Sequence, residues 1–211
     1  MVDLKLQPTY VEGHNLLAGK TVVITAAAGT GIGFAAARKC IEEGATVFIS
    51  DIHEGRLSDA AERLEAVTGQ KPDTALCNVT IQDDVEALFA TAKQSLGRID
   101  IVINNAGLGG TADIIDMTDD QWSIVLDVTL NGCFRINRAA MQIMKEQQQG
   151  VIVNNASVLG WRAQKGQAHY AAAKAGVMAL TLAVPQLKAL NSVYGSMRSH
   201  PALLFMNFST K

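Results

Sequence analysis

From Lys20 onward, short apolar runs alternate with stretches whose apolar positions recur every three or four residues. The runs at 21–24, 46–50, 74–78, 99–104 and 151–155 are rich in β-branched residues and lack polar alternation. That pattern predicts strands of a parallel sheet covered on both faces. Helical periodicity fills the intervals, at 31–43, 54–68, 83–96 and 119–147, and the last regular helix starts near 167. Strand and helix taking turns predicts an α/β fold, a doubly wound, Rossmann-like parallel sheet. Residues 1–18 read as an irregular leader and 19–184 as one domain, with no internal repeat or low-complexity tract.

Composition narrows the partners. With 211 residues, 48% hydrophobic and 18% charged, the chain is long enough for one substantial core. The 18 Lys and Arg against 20 Asp and Glu leave a net charge of −2, which argues against nucleic acid or an anionic membrane as main partner. Cys40, Cys77 and Cys133 lie far apart and fit no metal-ligand spacing, so no metal is expected. An odd number of cysteines with no signal peptide predicts free thiols in a reducing cytoplasm. No apolar run is long enough to span a bilayer.

The first strand runs directly into Thr25-Ala26-Ala27-Ala28-Gly29-Thr30-Gly31-Ile32-Gly33, which opens a helix. Small residues there let the backbone approach a pyrophosphate, whose charge is met by free amides and the helix dipole. A tight turn without a ligand is the alternative, and Asp51 weighs against it. That carboxylate ends the second strand, 18 positions beyond Gly33, where it can accept from adenosine ribose hydroxyls and repel a 2′-phosphate. No Arg or Lys follows Asp51 immediately, so NAD is favoured over NADP.

Tyr170 and Lys174 share one helix face, 13 and 17 positions after Ser157, and a strand ending in Asn104-Asn105-Ala106-Gly107 lies upstream. Each piece alone is common: the serine can cap a strand end, and the tyrosine can be a half-buried aromatic beside a solvated amine. Their joint occurrence after the expected strands points to hydride transfer between a nicotinamide and an alcohol or ketone. A free phenol has a pKa of about 10, and a nearby ammonium stabilises the phenolate, so a Tyr–Lys pair can move a proton near neutrality. His53 and His169 have no partner pattern and read as surface or packing residues. Trp161 is equally compatible with a substrate pocket and with packing.

These motifs together resemble the short-chain dehydrogenase/reductase family over about residues 19–181. Segments 154–164 and 170–181 look closest to bacterial members that handle bicyclic intermediates of steroid degradation. The resemblance implies that Ser157 positions the substrate oxygen, Tyr170 exchanges its proton, and Lys174 also holds the nicotinamide ribose. It implies dinucleotide contacts from Thr25, Ala27, Gly29, Thr30, Gly31, Ile32 and Gly33, from Asp51, Asn78 and Val79, and from Asn105, Ala106 and Gly107. A small-molecule alcohol or ketone is the expected substrate, and the likeness to steroid-degradation members implies a steroid-derived acyl-CoA. Departures are visible. The glycine turn has one extra residue and alanine in place of its first glycine, and Asn78 stands where the family often has Asp. The family's catalytic Asn is replaced by Thr129, with Asn131 on another helix face, which puts the proton relay in doubt.

Residues 185–211 depart from the family pattern altogether. Pro185 falls inside the last helix, at a cost of about 3 kcal/mol. Read back through the genetic code, residues 193–199 are a one-base-shifted version of Gly-Val-Arg-Val-Asn-Ala-Val, the strand the family places here. A slip near 181–184 is therefore expected, removing the family's last strands, its substrate lid and part of its oligomer interface. That loss exposes the fifth strand as an edge, and the apolar run 202–208 would either patch it or promote aggregation. It also predicts a weakened homo-oligomer and weak activity or none, with a dinucleotide-binding remnant as the alternative to a working oxidoreductase.

Overall fold

The five apolar runs form strands β1 (Thr21–Thr25), β2 (Thr46–Asp51), β3 (Asp73–Leu76), β4 (Ile101–Asn104) and β5 (Gln149–Asn155). The structure is a computed structural model that describes residues 9–183 and, as backbone, residues 203–209. Between the strands run helices α1 (Ile32–Glu42), α2 (Glu54–Thr68), α3 (Gln82–Leu96), α4 (Asp119–Leu126) and α5 (Gly132–Gln147), with α6 (Ala168–Ala183) after β5. A last strand, β6 (Leu203–Ser209), completes the sheet in the order β3-β2-β1-β4-β5-β6. The first five strands are mutually parallel. Winding reverses between β1 and β4, and such a switch point opens a crevice at the carboxyl ends of the strands.

The missing polar alternation has a direct cause. Val23, Phe48, Val102 and Ile152 point to one face, into a core with Leu88, Ile136 and Met144 of α3 and α5. Val22, Ile24, Val47 and Ile49 point to the other, against Ala37, Leu57 and Leu64 of α1 and α2. Side chains alternate across a strand, so covering both faces leaves no position free for a polar residue.

Several sequence expectations need correcting. The single helical stretch at 119–147 is three pieces, because a π-helical turn at Asp127–Asn131 separates α4 from α5. A capping box marks the start of α4. Thr118 Oγ1 accepts from the Gln121 amide at 3.2 Å, and Gln121 Oε1 accepts from the Thr118 amide at 2.9 Å. The run 99–104 is shorter as a strand, since the Asp100 carboxylate turns to accept the Thr21 amide at 3.1 Å. The run 74–78 ends early because Asn78 Oδ1 accepts from the amide and the hydroxyl of Thr80 at 3.1 and 2.8 Å, turning the chain.

β5 is not the sheet's edge. Residues 203–209 pair with it antiparallel along its whole length, from Gln149↔Ser209 to Asn155↔Leu203. Of the two fates expected for the apolar run, covering the edge is the one observed, because β5 would otherwise present a row of unpaired amides and carbonyls. Pro185 and the altered stretch 185–202 lie outside the described residues.

The described part of the leader forms no strand or helix, yet it is strapped to α1. The Glu43 carboxylate accepts the amides of His14 and Leu16 at 2.8 and 3.1 Å. Lys39 donates to the Val11 carbonyl at 2.8 Å, and the Tyr10 ring lies 4.6 Å beneath the Arg38 guanidinium while its hydroxyl bonds Glu42.

Candidate active site

Thr25 is fully buried at the end of β1 and ties it to β4. Its hydroxyl accepts the amides of Asn105 and Ala106 at 3.0 and 3.1 Å and donates to Asn104 Oδ1 at 3.3 Å. Ala26 then takes a left-handed conformation, φ +51°, and Gly29 follows with φ +91°. Ala27 is buried, its amide bonded to the Ser50 carbonyl at 3.1 Å. Thr30, Gly31 and Ile32 are exposed at the mouth of α1. Among the described residues no side chain caps that helix, and no acid occupies its first turn. Its first amides and its positive dipole end are therefore available to an anion, as a dinucleotide pyrophosphate requires. Gly33 has no room for a side chain: a Cβ would lie 2.4 Å from the Ala26 oxygen and 2.8 Å from Asn105 Nδ2.

Asp51 sits at the end of β2, and its carboxylate accepts from the amides of Ala28 and His53, both at 3.2 Å. It braces the turn and keeps further lone pairs for a ribose. Arg63 of α2 adds a second brace that sequence reasoning missed. It donates to the Gly29 carbonyl at 3.1 Å and stacks over the Phe34 ring at 4.4 Å. Nothing in the local pattern of α2 signals it. Asn78 is committed to the Thr80 turn, and its own amide donates to Asp84 at 3.0 Å. Val79 is buried against Gly132 and its carbonyl accepts from Arg135 at 3.3 Å, so its amide is the group left for a ligand.

Ser157 caps a 3-10 turn (Val158–Gly160) just past β5, accepting the Leu159 amide at 3.2 Å. Among the described residues that hydroxyl donates no hydrogen bond, so capping leaves its hydrogen available to a ligand. The turn packs against α6: a Cβ on Gly160 would sit 2.9 Å from the Ala175 nitrogen and 3.0 Å from the Lys174 carbonyl carbon. Lys174 is 3% exposed. Its Nζ donates to the Asn155 carbonyl at 2.5 Å and lies 5.6 Å from the centre of the Tyr170 ring. Burial lowers its pKa from the ordinary amine value, opposed by the neighbouring Cys133. The loop after β4 lies over the same face, so that a Cβ on Gly107 would meet Lys174 Nζ at 3.4 Å and one on Gly109 the Tyr170 ring at 3.7 Å. The structure thus places Tyr170, Lys174, the Asn155–Ser157 strand end and the Gly107 loop together. Trp161 stands beyond them, 63% exposed and not in the packed core.

At the place of the family's catalytic Asn, Thr129 is 1% exposed. Its hydroxyl accepts the Leu108 amide at 2.9 Å and donates to the Leu108 carbonyl at 3.0 Å. Thr129 clamps the loop between Gly107 and Gly109, and Asn131 is exposed and donates to Asp127 at 3.1 Å. His169 is the packing residue of the two histidines, buried beneath Gly110, while His53 is exposed before α2.

A buried amide network underlies the site and was not anticipated. Asn154 Oδ1 accepts from Asn104 at 3.1 Å and from Asn137 at 3.0 Å, and its Nδ2 donates to Thr181 at 3.0 Å. The signal was present, since both Asn-Asn pairs end strands and Asn104 lies beside Asn154 in the β4–β5 register. Among the described residues no His, Cys, Asp or Glu group forms a metal cage, and no helix is long and apolar enough to cross a membrane.

Residues 20–193 match the family model described as short chain dehydrogenase. The chain is 54% identical over 181 residues to the (5R,7aS)-5-hydroxy-7a-methyl-1-oxo-2,3,5,6,7,7a-hexahydro-1H-indene-carboxyl-CoA reductase of Mycobacterium tuberculosis, covering 85% of this chain and 69% of that protein. It is 38% identical over 165 residues to a 3-oxoacyl-[acyl-carrier-protein] reductase of Thermotoga maritima, covering 78% of this chain and 66% of the other. The chain therefore spans about two thirds of the length of these relatives. A crystal structure of a short chain dehydrogenase from Mycobacterium smegmatis superposes with a TM-score of 0.80 at 51% identity, over 83% of this chain and 72% of that one. A crystal structure of NAD+-bound xylitol dehydrogenase gives 0.75 at 30% identity, over 79% and 64%.

Proposed function

Because this chain belongs to the short-chain dehydrogenase/reductase family, we propose that it interconverts a secondary alcohol and a ketone using NAD. The observation that carries the proposal is the packing of Lys174 between the Asn155 carbonyl and the Tyr170 ring, at the strand end that presents Ser157. When bound, the nicotinamide supplies or accepts the hydride. The chain's own residues supply the rest. Ser157 hydrogen-bonds the substrate oxygen and sets its distance. Tyr170 takes the proton from the alcohol, or returns it to the ketone oxygen, with the Lys174 ammonium favouring the phenolate. The uncapped start of α1 fits the pyrophosphate. Asp51 supports NAD over NADP, since a 2′-phosphate beside a carboxylate already holding two amides meets like-charge repulsion. Asn78 and the Asn105–Gly107 loop complete the dinucleotide walls.

The proposed substrate is a bicyclic, steroid-derived acyl-CoA, the class suggested by the name of the M. tuberculosis relative and by segments 154–164 and 170–181. The proposal further takes the protein to be cytoplasmic and homo-oligomeric, with exposed Trp122, Ile124 and Phe134 on α4 and α5 as apolar surface for self-association. A second reading, a dinucleotide-binding protein with little turnover, is favoured by Thr129, whose hydroxyl is committed to Leu108 and offers no side-chain amide. NADH fluorescence titration and a turnover assay on wild type and Tyr170→Phe separate the two. Turnover abolished by Tyr170→Phe with NADH binding retained supports the enzyme, whereas equal binding without turnover in either protein supports the second reading. Binding of neither NADH nor NADPH would sink both.

A further inference from the structure

We propose that Asn155 is a positioning residue that couples the Lys174 end of β5 to the dinucleotide turn, by fixing Asn105 against the left-handed Ala26. The inference rests on the proposed dinucleotide site, and three hydrogen bonds in series carry it. Lys174 Nζ donates to the main-chain carbonyl of Asn155 at 2.5 Å, the side-chain Nδ2 of Asn155 donates to Asn105 Oδ1 at 2.8 Å, and Asn105 Nδ2 donates to the main-chain carbonyl of Ala26 at 3.0 Å. The series crosses α6, β5, β4 and the turn after β1. Its polarity is forced from one end. The Ala26 group that Asn105 meets is its carbonyl, so Asn105 turns its NH2 toward the turn and leaves its oxygen for a donor. Among the described residues, Asn155 Nδ2 is the donor to that oxygen.

The turn needs this support because of its own sequence. Ala26 holds φ +51°, a conformation in which Cβ crowds the following carbonyl and which glycine adopts freely. The Asn105 amide holds the Ala26 carbonyl in that orientation, and Gly33 leaves the space in which they meet. Without the Asn155 amide, Asn105 loses the bond that orients its side chain, and the Ala26 peptide is free to relax toward negative φ. The amides before α1 then turn away from the pyrophosphate position. The Asn155 side chain acts on the turn through its hydrogen bond to Asn105.

The test is a cycle of Asn155→Leu and Ala26→Gly, read by NADH fluorescence titration. Asn155→Leu should raise the NADH dissociation constant about five- to tenfold, the size of one net hydrogen bond. In the Ala26→Gly background, where the left-handed conformation carries no Cβ penalty, the same change should cost about twofold or less. An unchanged dissociation constant in Asn155→Leu, or an equal loss in both backgrounds, overturns the proposal. If leucine is not accommodated, Asn155→Ala removes the same donor in a smaller volume. Thermal unfolding of the four proteins without dinucleotide reads the coupling independently. Melting-temperature shifts that add across the cycle overturn it, and a smaller Asn155 penalty in the Ala26→Gly background supports it. Failure of wild type to bind NADH and NADPH would instead overturn the functional reading, with the unfolding cycle still deciding the coupling.

Discussion

Replacing Asn154 by leucine tests whether hydrogen bonding, and not apolar packing, fixes the ends of β4 and β5 beneath the active site. Asn154 is fully buried, and leucine has a similar volume, so the change removes polar partners without opening a cavity. Asn137 Nδ2 keeps the Cys133 carbonyl at 2.7 Å, and Thr181 still donates to the Val177 carbonyl at 2.7 Å. Asn137 Oδ1 loses the Asn154 amide at 3.3 Å, its donor among the described residues. Asn104 Nδ2 is left with the Cys133 carbonyl at 3.5 Å, the limit of a hydrogen bond. One buried group is thus unpaired and a second barely paired, at about 1–3 kcal/mol each, against about 1.5 kcal/mol or somewhat more gained by burying leucine. The middle of that range is a net loss of about 2–3 kcal/mol, which for a domain of this size lowers the melting temperature by roughly 5–10 °C. Calorimetry with a matching denaturant titration measures it. A melting temperature within about 2 °C of wild type would refute the reasoning. The double variant Asn137→Leu/Asn154→Leu should lose less than the sum of the single variants, because removing both partners leaves fewer orphans.

Gly33→Ala forces a Cβ to 2.4 Å from the Ala26 oxygen and 2.9 Å from the Ala27 Cα, both backbone atoms that must shift. The overlap should cost about 1–3 kcal/mol, offset by up to about 1 kcal/mol of helix propensity, and should weaken NADH binding; unchanged affinity counts against the pyrophosphate assignment. Burial holds the Lys174 pKa below its ordinary value, so between that lowered value and about 10.4 the unfolded chain binds more protons and stability rises with pH. The melting temperature of wild type minus that of Lys174→Met should therefore climb as pH approaches about 10, and a flat or falling difference overturns the assignment. Burial pushes the Cys40 thiol up to about 11 and the Cys77 and Cys133 thiols to about 12. A thiol reagent should then label none of the three in the native protein at neutral pH and all three in denaturant. Rapid native labelling of any would show that its site opens.

Much of the fold was legible in the sequence, because burial on two faces leaves continuous apolar strands and helix faces leave a repeat of three to four residues. Strands β1 to β5, the turn before α1, and the placement of Ser157, Tyr170 and Lys174 all follow from such local patterns. The polar contacts did not. Thr129 meets Leu108 21 positions away, Arg63 meets Gly29 34 away, and Asn155 meets Asn105 50 away. Each depends on sheet register and on how a helix docks, and hydrophobic periodicity carries no record of either. The same holds for the break between α4 and α5, where Thr129 is drawn to the Gly107 loop by a partner the helix itself does not contain. The sequence by itself determined strands β1 to β5, the helical stretches between them and which faces they bury. Only the tertiary structure decided which buried amides and hydroxyls find each other, since desolvated polar groups must pair with whatever the packed strands bring within reach.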